Sequence, residues 1–458
     1  MTTAATNRVE AAGGKPGAAS SRELRDLLYP ITPEEFTSQY WGRQPIFIKG
    51  SLEKLERLFP GGFRREDFLR AVRHSAETKA RGFRLYGVRS ETAETAENVS
   101  HTDHFIRPEE IDETLASGET VAVNSMADER LARFAASIKS QLNHAGDVTP
   151  DSTLSPPHHG FPTHADPISN IFIQTEGRKS YWVSRTPALL WPHRNSLITR
   201  DGQGVYLESV PEPWEEIAGA DVKGLVEFVM EPGDVLYFPA GTIHATKALD
   251  EYSLNVILIL RHLNFLDLIK ETLSEALTPD PVWRHLPHAS SDGIAPGGLP
   301  EETVAFFAER LSELRDLVNS LTPDSFALNR QWHKVVADPG EATRASLALT
   351  PATGEAKPVE QNELLRLSRR APITYALGTG ANGDRCIAVF YGDKEISVGA
   401  EWVAFLRTLV EHDEFVAGSA TEWSDGDESY PWETAQECLQ AMLEQGIIER
   451  PDTAPTIS

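Results

Sequence analysis

The sequence predicts an α+β chain: a double-stranded β-helix, or jelly roll, preceded by helices and followed by a helical unit and a small winged-helix-like unit. Three observations predict it. Between about residues 150 and 262, apolar residues recur in short strand-like runs broken by glycine and proline. Many short antiparallel strands of this kind must close into a sandwich or barrel, and a double-sheet jelly roll is the economical solution. Beyond residue 262 the helical period returns, and the last unit mixes two helices with strands. The boundaries that follow are a disordered tail over 1–22, the jelly-roll domain over 23–262, a helical unit over 263–365 and a winged-helix-like unit over 366–458.

Taken in order, the tail is Ala, Gly, Ser and Thr with scattered charge, a composition that buries no core. Thr32-Pro33-Glu34-Glu35 starts a helix, with a capping hydroxyl, a proline at the first helical position and acids in the first turn. Pro45-Ile46-Phe47-Ile48 reads as a strand and 128–142 as an amphipathic helix. The runs 170–175 and 179–184 flank Glu176-Gly177-Arg178, and the runs 225–230 and 235–238 flank Glu231-Pro232-Gly233-Asp234, so both pairs are expected to be hairpins. Residues 253–260 form a long apolar strand. Phe265, Ile269, Leu273 and Ala276 fall on one helical stripe, and Val304, Phe307, Leu311, Leu314, Val318 and Leu321 on another, which suggests that the helices pack on each other and across a dimer interface. A polar linker over 338–362 leads to a unit with an Asn382-Gly383 turn and helices over 400–410 and 432–445.

Composition narrows the function. A net charge of -25 repels phosphate backbones and anionic lipid, which argues against a nucleic-acid or membrane partner. The two cysteines, Cys386 and Cys438, cannot form a disulfide framework and read as small core residues. The N-terminus lacks a signal-peptide pattern, and no apolar run approaches a membrane span, so a cytoplasmic, reducing setting is expected.

The chemistry concentrates in His164-Ala165-Asp166 and in His244, which closes the segment 233–244. Side chains at i and i+2 of a strand share a face, so His164 and Asp166 can grip one metal while Ala165 points away. His244, beyond a second apolar run, supplies a third ligand. Two imidazoles and one carboxylate match the facial set of non-haem Fe(II) oxygenases, which leaves coordination positions open for reactants. A second His-x-Asp, His101-Thr102-Asp103, precedes the helix start at Arg107-Pro108-Glu109-Glu110 and is expected to lack a strand that could hold a metal pair. Lys179 shares a strand face with Tyr181 and Val183. A lysine on an inward face needs an anion, and an anionic cosubstrate would supply one; a solvent-facing edge lysine is the alternative.

These residues resemble a family. His164-Ala165-Asp166, then Ile171-Phe172-Ile173-Gln174-Thr175-Glu176-Gly177-Arg178-Lys179, then Gly233-Asp234-Val235-Leu236-Tyr237-Phe238-Pro239 with His244, are similar to the JmjC (cupin-type) 2-oxoglutarate oxygenases, and more narrowly to their ribosomal-oxygenase branch. Leu28-Tyr29-Pro30-Ile31, Glu35-Phe36, Tyr40-Trp41 and Gln44-Pro45 resemble that branch's N-terminal segment. The resemblance implies that His164, Asp166 and His244 hold Fe(II), that Lys179 binds the distal carboxylate of 2-oxoglutarate, and that O2 is the second cosubstrate. Ser152 or Thr153 falls where the branch places a further cosubstrate contact, and Asn255, with Ser253, either lines the cavity or makes ordinary strand hydrogen bonds. His158 and His159 either recognise substrate or are exposed loop residues.

The resemblance implies hydroxylation of a protein or peptide side chain, arginine or histidine. The acids clustered between 401 and 428 favour a basic polypeptide over nucleic acid, although an acidic surface also serves solubility. A biosynthetic peptide or amino-acid-derived metabolite is the alternative substrate, and lysine demethylation uses the same triad. A ligand-sensing DNA-binding regulator would need a basic recognition helix, and 432–445 has no lysine or arginine.

Overall fold

In the computed structural model the protein is described for residues 8–9, 23–80, 82–90, 101–192, 196–197, 225–285, 299, 301–322, 326–340, 357–368, 373–379, 385–399, 402–412, 414–424 and 429–451. Its core is the expected jelly roll, built on two facing sheets. The larger sheet orders its strands Arg8–Val9, Ile46–Ile48, Val235–Phe238, Ser169–Glu176, Ser253–Leu260, Val148–Ser155, Thr120–Asn124, Arg84–Ser90 and His101–Phe105. The smaller orders Ser196–Leu197, His164–Ala165, Ile243–Ala248, Lys179–Val183 and Val226–Met230.

Strand parity explains the layers. In Ser169–Glu176, Ile171 and Ile173 pack with the N-terminal helices, whereas Phe172 packs between the sheets with Tyr181, Phe238, Ile257 and Ile259. Both faces of the larger sheet are therefore buried, which is why 256–260 in the strand Ser253–Leu260 reads as an unbroken apolar run rather than an alternation. The helices on its outer face form where their signals stand. Thr32 caps its helix by accepting from the Glu35 N–H at 3.1 Å, and Asp128 accepts from the N–H groups of Arg130 and Leu131 to start Glu129–Gln141.

The two expected hairpins are not hairpins. Ser169–Glu176 and Lys179–Val183 lie in different sheets, as do Val226–Met230 and Val235–Phe238. The turn residues carry the chain round a corner from one sheet to the other. At the first corner Gly177 has φ +65°, and a Cβ there would stand 1.9 Å from the Tyr252 carbonyl oxygen, so the close approach of the two backbones requires glycine. Lys179–Val183 pairs instead with Val226–Met230 and Ile243–Ala248.

Two further expectations change. His101–Phe105 is a strand, paired with Arg84–Ser90 at the edge of the larger sheet. An edge strand needs backbone pairing on one side only, so its polar composition did not announce it. Most of the tail lies outside the described residues, but Arg8–Val9 pairs in parallel with Phe47 and Ile48.

After the jelly roll come the helices Phe265–Leu277, Glu301–Ser320 and Phe326–Ala337. Arg330 joins Glu275 of the first to Glu395 of the C-terminal unit. The apolar stripes foreseen on the first two helices are largely uncovered: Phe265 is 83% exposed and Leu311 54%. The C-terminal unit holds the helices Val403–Glu411 and Trp432–Glu444 and two three-stranded sheets. The strand Leu364–Leu367 already belongs to one of these sheets and Val359 to the same core, slightly upstream of the expected boundary. The Asn382-Gly383 turn lies outside the described residues, between strands that do pair. Cys438 is partly buried against the C-terminal core, and burial raises its thiol to about 12, while the side chain of Cys386 lies outside the described residues. Among the described residues no helix is long and apolar enough to cross a membrane.

Candidate active site

His164 and His244 face each other directly across neighbouring antiparallel strands, which puts both rings on the inner face with centroids 4.0 Å apart. Asp166, two residues beyond His164, reaches the same point. Its Oδ2 lies 3.8 Å from His164 Nε2 and 3.7 Å from His244 Nε2. Ala165 points the other way into a small apolar cluster with Leu189 and Ile243. One ligand atom from each of the three residues lies within 4.8 Å of the others, and among the described residues no other such group occurs; the side chains of His101 and Asp103 lie outside that description.

The surroundings fix these side chains for metal binding. His164 Nδ1 lies 2.8 Å from the Pro162 carbonyl oxygen and His244 Nδ1 3.0 Å from that of Thr242. With Nδ1–H donating to each carbonyl, both Nε2 lone pairs point at the common centre. Burial, reinforced by His164, holds His244 down to about 3, so it is a neutral ligand. The Gly241 N–H donates to the Asp166 carbonyl at 2.8 Å and locks the ligand segment to the turn before His244. Two neutral imidazoles and a carboxylate, held in advance, fit a divalent transition metal with open positions.

Asn170 adds a partner that sequence reading missed. Its Nδ2 donates to Asp166 Oδ2 at 3.3 Å, while its buried Oδ1 has no hydrogen-bond partner among the described residues. Sequence parity could have found it, since it shares the inner face with Phe172. Replacing Asn170 by Ala is expected to lower metal affinity about 10- to 100-fold, the usual effect of losing a group that orients a ligand. Titration of Mn(II) by electron paramagnetic resonance checks this, and unchanged affinity would rule out an orienting role.

The triad opens into a cavity of about 440 Å³ whose wall also carries Lys179. Lys179 is 1% exposed, which excludes the edge-lysine alternative. Its Nζ donates to Ser155 Oγ at 3.0 Å and to Thr153 Oγ1 at 3.3 Å, and among the described residues it faces no carboxylate. Burial pulls its pKa down to about 7. A buried cation among hydroxyls in the wall of a cavity is the receptor for a small carboxylate.

The remaining candidates divide. Thr153 reaches Lys179, but Ser152 does not: its hydroxyl donates to the Asn255 carbonyl at 2.6 Å, and it shares the parity of Leu154, which packs on the helix side. Asn255 does not line the cavity. Its Nδ2 donates to the Tyr181 hydroxyl at 2.9 Å and its Oδ1 accepts from Thr153 at 3.0 Å, so it braces the lysine pocket from behind. Ser253 is likewise occupied, accepting from Gln174 Nε2. His158 and His159 stand outside the cavity wall. Sequence reading missed Ser155, which the period of two from Thr153 would have supplied.

Residues 123–268 match the family described as JmjC domain. A Drosophila mojavensis protein named bifunctional lysine-specific demethylase and histidyl-hydroxylase NO66 is 30% identical over 165 residues, covering 32% of this chain and 16% of that protein. Gallus gallus ribosomal oxygenase 1 is 28% identical over 245 residues, 51% of this chain and 35% of the relative. Bacillus subtilis (strain 168) YxbC, an uncharacterized protein, is 23% identical over 279 residues, 59% of this chain and 80% of the relative. The chain thus spans well under half the length of the two relatives whose names state an activity. The structure of the Escherichia coli ribosomal oxygenase YcfD with cobalt and 2-oxoglutarate superposes with a TM-score of 0.51 at 16% identity, covering 92% of this chain and 98% of that one. That likeness is one of fold.

Proposed function

We propose that this chain is an Fe(II)- and 2-oxoglutarate-dependent oxygenase that hydroxylates a side chain of a protein or peptide, arginine or histidine, on a basic polypeptide. The observation that carries this reading is one cavity with two complementary sites in its wall: His164, Asp166 and His244 at one point, and Lys179 with Thr153 and Ser155 at another. The triad would hold Fe(II), and Lys179 the distal carboxylate of 2-oxoglutarate. Bound there, metal and cosubstrate supply the oxidative decarboxylation to succinate and CO2 that is coupled to oxidation of a C–H bond by O2. The chain's own residues position and shield. The Pro162 and Thr242 carbonyls aim the imidazoles, Asn170 steadies Asp166, and Phe172, Ile257 and Ile259 give the cavity apolar walls.

The names of the relatives support a protein substrate and do not favour the metabolite alternative. The net charge of -25 supports a basic partner rather than nucleic acid or membrane, and the acidic C-terminal unit contributes to it. Demethylation shares the triad, and the product separates the two, a gained oxygen against a lost methyl group. The test is the anaerobic absorption spectrum with Fe(II) before and after 2-oxoglutarate, followed by mass spectrometry of basic ribosomal proteins after admission of air. A charge-transfer band needing both additions is expected; folded protein without it would sink the oxygenase reading.

We also propose a cytoplasmic homodimer formed through the uncovered stripes of Phe265–Leu277 and Glu301–Ser320. Sedimentation equilibrium should give twice the chain mass, and Ile269→Glu with Leu311→Glu should return it to one.

A further inference from the structure

The cavity wall is not charged at one end only. Thr153 and Ser155, beside Lys179, and Asp151 alternate along the inner face of Val148–Ser155, opposite Asn255 and Ile257 of the antiparallel neighbour. That neighbour runs on into Arg261, six residues past Asn255 and so about 20 Å along the strand. Arg84 arrives from another direction. It pairs with Asn124, whose amide holds Asp151 at 2.5 Å. Arg84 and Arg261 both line the cavity, and both are exposed.

Neither guanidinium has an ion-pair partner among the described residues, in a chain with a large excess of carboxylates. Buried Asp151 makes no ion pair with either: the Asn124 amide and the Ser125 N–H at 2.8 Å hold its oxygens, burial pushes its carboxyl pKa up, and Arg261 acts on it only as a nearby charge that draws that pKa down by less. The rim is also built to hold still. The Arg261 N–H donates to the Asp147 carbonyl at 2.9 Å, and its own carbonyl lies 3.0 Å from His144 Nε2. His144 is buried against Trp41 and His262, with ring centroids 5.5 and 5.0 Å away. Buried His144, packed on Trp41 and His262 and with no part in the triad, thus fixes the backbone of one rim arginine.

We propose that Arg84 and Arg261 form a carboxylate-recognition pair at the cavity mouth, so that the substrate carries an Asp or Glu side chain, or a C-terminal carboxylate, next to the side chain that enters. This rests on the oxygenase reading above and adds a specificity determinant to it. Guanidinium forks match carboxylates in two-point geometry, and two without an ion-pair partner among the described residues, at the cavity mouth of an anionic protein, give local selection that opposes the long-range preference for basic partners. A single five-carbon cosubstrate is too short to reach both Lys179 and this rim, so the pair is left to the substrate.

The test is selection of random nine-residue peptides, displayed with either a free or an amidated C-terminus, on immobilised protein loaded with Mn(II) and 2-oxoglutarate. Wild type should enrich an acidic residue at one position, or the free-acid arm, by about tenfold or more over input, the scale of one charge-assisted contact. The doubly reversed R84E/R261E protein should enrich Lys or Arg there instead. A reversal cannot come from misfolding, and if the double variant does not fold, R84E alone carries the test. No binders, no acidic bias in wild type, or a bias that survives reversal overturns the pair, and so does preferential retention of an RNA oligonucleotide. The absorption band separates the two readings: band present without acidic bias removes the pair alone, and band absent removes the oxygenase reading.

Discussion

Asp166→Ala is expected to eliminate turnover and to lower Fe(II) affinity by more than about 100-fold, since loss of a group that only orients a ligand already costs 10- to 100-fold. Asp166 is the single charged member of the triad, and one of its oxygens lies within 4 Å of both imidazole nitrogens. Without it, two neutral imidazoles face a divalent ion with no countercharge. Both Nδ1 contacts to backbone carbonyls survive the substitution, so the rings keep their aim and the variant should fold. The Fe(II) and 2-oxoglutarate absorption band should vanish together with succinate release. An Asp166→Ala protein that kept a tenth of wild-type turnover would falsify the metal assignment.

The legibility of this site in the sequence follows from how local each feature is. His164 and Asp166 obey the two-residue period of a strand, and Lys179 lies inward by the same rule, so alternation alone placed them. The same rule, pressed further, separates Thr153 and Ser155 from Ser152, because only odd positions of Val148–Ser155 share the face that Lys179 reaches. What parity cannot give is the partner of a turn. A glycine between two strand-like runs looks alike whether the chain folds back on itself or turns a corner into a facing sheet, and at Gly177 it turns the corner. Arg84, Asn124, Asp151 and Arg261 converge from positions up to 177 residues apart, as 261 − 84 gives, and nothing local in any of them points to the others.

Lys179 carries the second large effect, and it depends on pH. Buried among hydroxyls, its ammonium is held at about 7, against about 10.4 for an unfolded lysine. Below about pH 7 both states bind the proton and the folded protein bears the whole cost of a buried charge. Between about 7 and 10.4 the unfolded chain binds a proton that the folded chain does not, so stability rises with pH across that window. Cosubstrate binding has the opposite sign. A dianion needs the ammonium, so above about pH 7 each binding event takes up a proton, and the dissociation constant for 2-oxoglutarate should climb toward tenfold per pH unit. Titration calorimetry of the Mn(II)-loaded protein in buffers of different ionisation enthalpy measures both quantities. Lys179→Arg should bind with little pH dependence, because a guanidinium stays charged. Lys179→Ala should weaken binding more than about 100-fold, the consequence of leaving a buried carboxylate unpaired at roughly 3 kcal/mol or more. Binding by wild type that is flat from about pH 6.5 to 8.5 with no proton uptake would mean that Lys179 is already charged in the free protein. Unchanged affinity in Lys179→Ala would place the cosubstrate carboxylate elsewhere in the cavity.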